Sequence, residues 1–101
     1  MSKSIGFNTI KCLQQGNIQH QERANLDVKN LLSTGEIDEN YVIEILKRIN
    51  SNEYKSSPHH YDSKIIVHIV ETKFDAIYWY IKWYFDEPNC VFISVHNSVK
   101  N

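Results

Sequence analysis

An α+β fold is predicted, with two N-terminal helices packed on a three- to four-stranded antiparallel sheet. Three observations predict it. Val42, Ile45, Leu46 and Ile49 recur at i, i+3, i+4 and i+7, the apolar stripe of an amphipathic helix. Later in the chain, apolar-rich runs at about 64–71, 76–85 and 90–96 alternate with a period of two, as half-buried strands do. Between those runs lie Thr72-Lys73-Phe74-Asp75 and Asp86-Glu87-Pro88-Asn89, short turn-prone links that suit hairpins. Helices first and a meander afterwards place the helices on one face of the sheet.

The elements follow in order. In 1–18, Phe7, Ile10 and Leu13 have helical spacing and Gly16 is able to end a turn, so a short helix and a loose arm both fit residues 1–20. From about 21 to 33 a helix carries Ala24, Val28, Leu31 and Leu32 near one stripe, with Gly35 suited to the left-handed position after its end. Asp38 is the predicted N-cap of the next helix, with Glu39 favourable in its first turn and Lys47 and Arg48 near its end. Asn50-Ser51-Asn52 breaks that helix, and 53–63 reads as a polar loop with room for an edge strand at 54–56.

Bulk properties narrow the function classes. A chain of 101 residues builds one domain around one core. It has no apolar run near the ~20 residues of a membrane span, and its start lacks a secretory apolar stretch, so a cytoplasmic protein is expected. Cys12 and Cys90 have no C-x-x-C spacing, which points away from zinc knuckles and disulfide frameworks. A formal net charge of −1 argues against broad electrostatic binding of nucleic acid, so any RNA contact must rest on local cations.

The alternation divides the strands into two sets. One is dry: Ile65, Val67, Ile69, then Ile77, Trp79, Ile81, Trp83, Phe85, then Val91, Ile93, Val95. The other holds His68, Tyr78, Tyr80, Lys82, Tyr84, Ser94 and His96. In a meander these polar positions lie side by side, with Cβ atoms ~4.5–5.5 Å apart when directly opposite. His68 and His96 are therefore expected to flank Tyr80 and Lys82. Two imidazoles, a phenol and an ammonium match the needs of RNA cleavage through the 2′-hydroxyl: a base, an acid and a cation at the phosphate. Each residue taken singly is also an ordinary occupant of an exposed strand face.

The segment Tyr54-Lys55-Ser56-Ser57-Pro58-His59-His60-Tyr61 is a second candidate, with Lys55 and the two histidines for phosphate and Tyr61 for stacking a base. His59, His60, His68 and His96 are metal-competent, yet adjacent histidines bind one ion poorly and no acidic ligand is obviously placed. No metal or other cofactor is expected. The scattered glycines form no phosphate loop.

Several short motifs resemble those of the MqsR-type mRNA interferase toxins, members of the RelE-like toxin superfamily. They are LDVKNLLSTGEI at 26–37, Tyr54-Lys55-Ser56 followed by Tyr61-Asp62-Ser63, the strand over 65–70, Tyr80-Ile81-Lys82, and Ser94-Val95-His96. The resemblance covers about residues 24–96. It implies a RelE-like fold, metal-independent endonucleolytic cleavage of RNA, with ribosome-bound mRNA among the candidate substrates, and neutralisation by a cognate antitoxin protein. It assigns catalytic roles to Lys55, Tyr80, His68 and His96. The family has glutamine where this chain has His68, and lysine where it has His96. The expectation is thus an endoribonuclease toxin of a type II toxin–antitoxin pair. Its catalytic residues would be His68, His96, Tyr80 and Lys55, and its substrate-binding residues Lys82, His59, His60, Tyr61, Tyr78 and Ser94. The alternative is a non-catalytic inhibitor or immunity module that uses the tyrosine-rich face as a protein interface.

Overall fold

Residues 3–21 and 30–97 are described by a computed structural model. Helix α1 (Lys3–Gln15) leads into a short strand β1 (Ile18–His20). One helical turn, α2 (Leu31–Thr34), and helix α3 (Glu39–Lys47) follow. A 3₁₀ turn (Ser51–Glu53) then opens β2 (Tyr54–Pro58), β3 (Ile66–Phe74), β4 (Ile77–Asp86) and β5 (Asn89–Asn97). The sheet order is β1-β5-β4-β3-β2. Neighbouring strands are antiparallel except β1, which runs parallel to β5.

The α+β class is as expected, while its details differ. Five strands form a mixed sheet, and the described residues contain three helices. The extra strand follows from the helix before it. Gly16 takes a φ of +73°, which only glycine adopts without strain, and turns the chain so that Ile18, Gln19 and His20 pair with Cys90, Val91 and Phe92. Of the helix predicted over 21–33, residues 22–29, with Ala24 and Val28, lie outside the described residues. Its end is corrected: Asn30 is extended, at φ −133°, and caps a new turn by accepting a hydrogen bond from Ser33 N. Gly35 ends that turn in the left-handed conformation.

Asp38 caps α3 as its sequence requires, accepting from Tyr41 N at 2.9 Å. Val42, Ile45 and Leu46 are buried and Ile49 packs against them; Ile43 joins the same core. In α1 the buried stripe is Thr9 and Leu13, with Ile5 packed beside it, and Phe7 faces out. Thr9 is tolerated there because its hydroxyl donates to Ile5 O and accepts from Trp83 Nε1 at 3.1 Å, which joins helix to sheet.

The helices cover one face of the sheet. Val70, Trp79, Ile81, Trp83, Cys90, Phe92 and Val95 meet Leu13, Leu32 and the α3 stripe in one core. Facing away from it, a smaller cluster of Val67, Ile69 and Ile93 packs with Tyr80 and Tyr84. This arrangement corrects the expected parity of β3 and half of β5: Val67, Ile69, Val91 and Ile93 belong to the open face. A bulge is the cause in β5. Lys82 pairs with Ser94 but Trp83 pairs with Phe92, so Ile93 is an extra residue. Phe92 therefore enters the core while Ser94 and His96 reach the open face. Ile65 lies before β3, half-buried.

Cys12 and Cys90 are free thiols, and burial together with Cys12 pushes the Cys90 thiol far up. Among the described residues no helix is long and apolar enough to cross a membrane.

Candidate active site

The strand register defines a grid on the open face. Glu71, Tyr80 and His96 form one row across β3, β4 and β5. Lys55, Ile69, Lys82 and Ser94 form the next, across β2 to β5. A third row holds Ser57, Val67, Tyr84, Val91 and Gln19. Tyr80, Lys82, Ser94 and His96 thus come together as expected. The rings of Tyr80 and His96 stack with centroids 5.2 Å apart and planes 17° from parallel. His96 Nδ1–H donates to the carbonyl of Asn97 at 2.9 Å, which leaves Nε2 as the nitrogen not used in that bond.

His68 does not join them. It is on the helix side, in the rows of Ser56 and Trp83, and is 6% exposed. Its ring lies 5.6 Å from Trp83, 5.4 Å from Phe85 and 5.8 Å from Tyr54. A hydrogen bond of 2.6 Å links its Nδ1 to the Tyr54 hydroxyl. Burial lowers its pKa from the ordinary value near 6.5, so the imidazole is neutral at pH 7. The expected pairing of His68 with His96 is therefore corrected. The physical reason is that Tyr54 satisfies the imidazole, which lets it sit among aromatic rings.

The segment after β2 folds over the open face beside Lys82. Ser57, Pro58, His59, His60, Tyr61, Val67, Lys82 and Ile93 line a cavity of about 210 Å³. His59 packs edge-on against Tyr84, with centroids 5.2 Å apart. Its Nδ1 accepts from Tyr61 N at 3.1 Å, and its Nε2–H donates to Gln21 Oε1 at 3.5 Å. Both ring nitrogens are thus engaged, and His59 holds the loop rather than trading protons. Gln21 reaches it from the opposite edge of the sheet, beyond β1. Asp62 shapes the remaining turn, accepting from Lys64 N and Ile65 N. His60 is exposed with its ring 5.0 Å from that of Tyr61, which is itself 85% exposed. Tyr78 lies farther along β4, with Lys73 Nζ 5.6 Å above its ring.

Lys55 sits on the edge strand, and its Nζ lies 3.3 Å from Glu71 Oε1. Glu71 is the residue that sequence reasoning missed. With the expected parity of β3, His68 fills the place beside Tyr80; the actual parity puts Glu71 there. The signal was present in Ile66–Phe74, whose polar members His68, Glu71, Thr72 and Lys73 do not share one parity.

Among the described residues, no group of three His, Cys, Asp or Glu side chains converges as a metal-binding cluster would. The site is thus a carboxylate, phenol and imidazole in one row, with two lysines and a serine in the next. Such a set offers cations and a hydroxyl for an anionic group and an acid–base pair for proton transfer. No protein-family model matches the chain, and no curated protein sequence matches it.

Proposed function

We propose that this protein is a metal-independent endoribonuclease that cleaves RNA by attack of the 2′-hydroxyl on the adjacent phosphate. The observation that carries this reading is the stacked Tyr80–His96 pair, with Lys82 one row away on the same face. Lys82 neutralises the phosphate and stabilises the charge that grows on it. Tyr80 holds the imidazole and donates to a phosphate oxygen. His96, protonated at Nε2, protonates the departing 5′-oxygen. Ser94 adds a hydroxyl opposite Lys82, and Lys55 adds a second cation in that row. The cavity under His60 and Tyr61 suits an unstacked base, since a single strand offers its π-face to aromatic rings.

In this reading the fold is a RelE/MqsR-like one with an added parallel strand, and the protein acts in the cytoplasm on mRNA. It is the toxin of a type II pair, and its antitoxin covers the open face. The motif resemblance at Tyr54-Lys55-Ser56, Tyr80-Ile81-Lys82 and Ser94-Val95-His96 supports this assignment.

The test is induced expression with mapping of RNA ends. The wild type is expected to arrest growth and leave 2′,3′-cyclic phosphate ends, whereas His96→Ala at equal abundance does neither. Equal cleavage by that variant removes His96 from the mechanism. An absence of new ends with the wild type overturns the reading. It then favours the alternative, a binding module whose interface includes the exposed Tyr61 and Tyr78.

A further inference from the structure

We propose that Glu71 is the general base of this site, the group that takes the proton from the attacking 2′-hydroxyl. The inference rests on the nuclease reading and deepens it. Cleavage in line needs an acceptor and a donor on opposite sides of phosphorus. His96 supplies one of them and cannot hold both positions at once. The register places Glu71 directly beside Tyr80 on one flank and His96 directly beside it on the other.

Two strand spacings of ~4.8 Å separate their backbones, about 9–10 Å in all. That span accommodates a phosphodiester with a hydrogen bond of ~2.8 Å at either end. Other candidates are less suited. His68 lies on the helix side, His59 has both nitrogens engaged, and a phenol or ammonium is a poor acceptor near neutral pH. Lys55 Nζ lies 3.3 Å from Glu71 Oε1, across the strand pair β2–β3. The ion pair fixes the side chain beside Tyr80.

Glu71 takes the proton of the 2′-hydroxyl as the 2′-oxygen forms its bond to phosphorus. The bond from phosphorus to the 5′-oxygen breaks, and His96 Nε2–H protonates that oxygen. The products are a 2′,3′-cyclic phosphate and a 5′-hydroxyl. Reprotonation of His96 and deprotonation of Glu71 by water restore the site.

Two substrates separate the roles. One is an RNA oligonucleotide. The other is a ribonucleoside 3′-(4-nitrophenyl phosphate), whose leaving group departs without a proton. Glu71→Gln is expected to lose about 10²–10⁴-fold on both. His96→Ala is expected to lose a similar factor on RNA and to stay within a few-fold of wild type on the nitrophenyl ester. Glu71→Asp, which keeps the carboxylate, recovers part of the rate and serves as the control for folding. Wild-type rates for a folded Glu71→Gln protein on the nitrophenyl ester would overturn the assignment while leaving the nuclease reading intact. A wild-type protein that cleaves neither substrate overturns both.

Discussion

His68 and His96 lie on neighbouring parts of one sheet and differ in every respect that matters for chemistry. His96 is half-exposed, stacked on one phenol, and tied by one nitrogen to a backbone carbonyl. His68 is enclosed by Trp83, Phe85 and Tyr54, with a hydroxyl against Nδ1 and a lowered pKa. One imidazole has the access a proton carrier needs. The other is a structural polar group whose partner makes burial tolerable. The lesson is that the identity of a residue says less about its role than the side of the sheet on which it falls.

The strongest way to break this contrast is to truncate both. His96→Ala should lower RNA cleavage about 10²–10⁴-fold with an unchanged Tm. His68→Ala should leave cleavage per folded molecule unchanged but cost about 2–3 kcal/mol of stability, from lost ring packing and a lost hydrogen bond, read by urea denaturation. Reversal of the two outcomes would show the faces to be wrongly assigned. A milder probe is Tyr54→Phe, which strands His68 Nδ1 without its partner and should cost about 1–3 kcal/mol.

Acidification sharpens the comparison further. Because burial lowers the folded-state pKa of His68 below 6.5, the unfolded chain takes up its proton first as pH falls. Stability is therefore full above about pH 6.5 and declines as pH drops toward the folded pKa. His20, whose pKa burial also lowers, contributes in the same window. His68→Phe should flatten part of the decline, as chemical denaturation at pH 7.5 and 5.5 would show. A slope unchanged by that substitution would assign the whole effect to His20. The smallest expected effect lies in the turn joining β3 to β4. Ala76 holds a φ of +63° that glycine accepts without strain, so Ala76→Gly should stabilise by about 0.5–1 kcal/mol.

How much could be read without coordinates varied by element. The caps of α3 and of the turn before Gly35 were legible, because Asp38 and Gly35 act through local hydrogen bonds and dihedral angles. The alternation of β4 was legible too: Trp79, Ile81 and Trp83 contrast sharply with Tyr78, Tyr80, Lys82 and Tyr84. In β3 the pattern failed, because both faces of that strand are apolar near its start. Val67 and Ile69 form a second small cluster under Tyr80 and Tyr84, so their hydrophobicity does not reveal which way they face. His68 looked like a member of the polar set because its partner, Tyr54, arrives from another strand. The three residues of β1 carry too short a pattern to announce a strand. The link from Gln21 to His59 depends on two edges of the sheet that no local motif connects.

The bulge at Ile93 has a consequence for how such a protein changes over generations. An in-frame loss of that one codon would restore simple alternation to β5, with Trp83 still opposite Phe92 and Lys82 still opposite Ser94, so the imidazole at its far end would stay on the open face. Chains of this architecture are thus able to lose or regain that one residue with the pairing on either side of it intact.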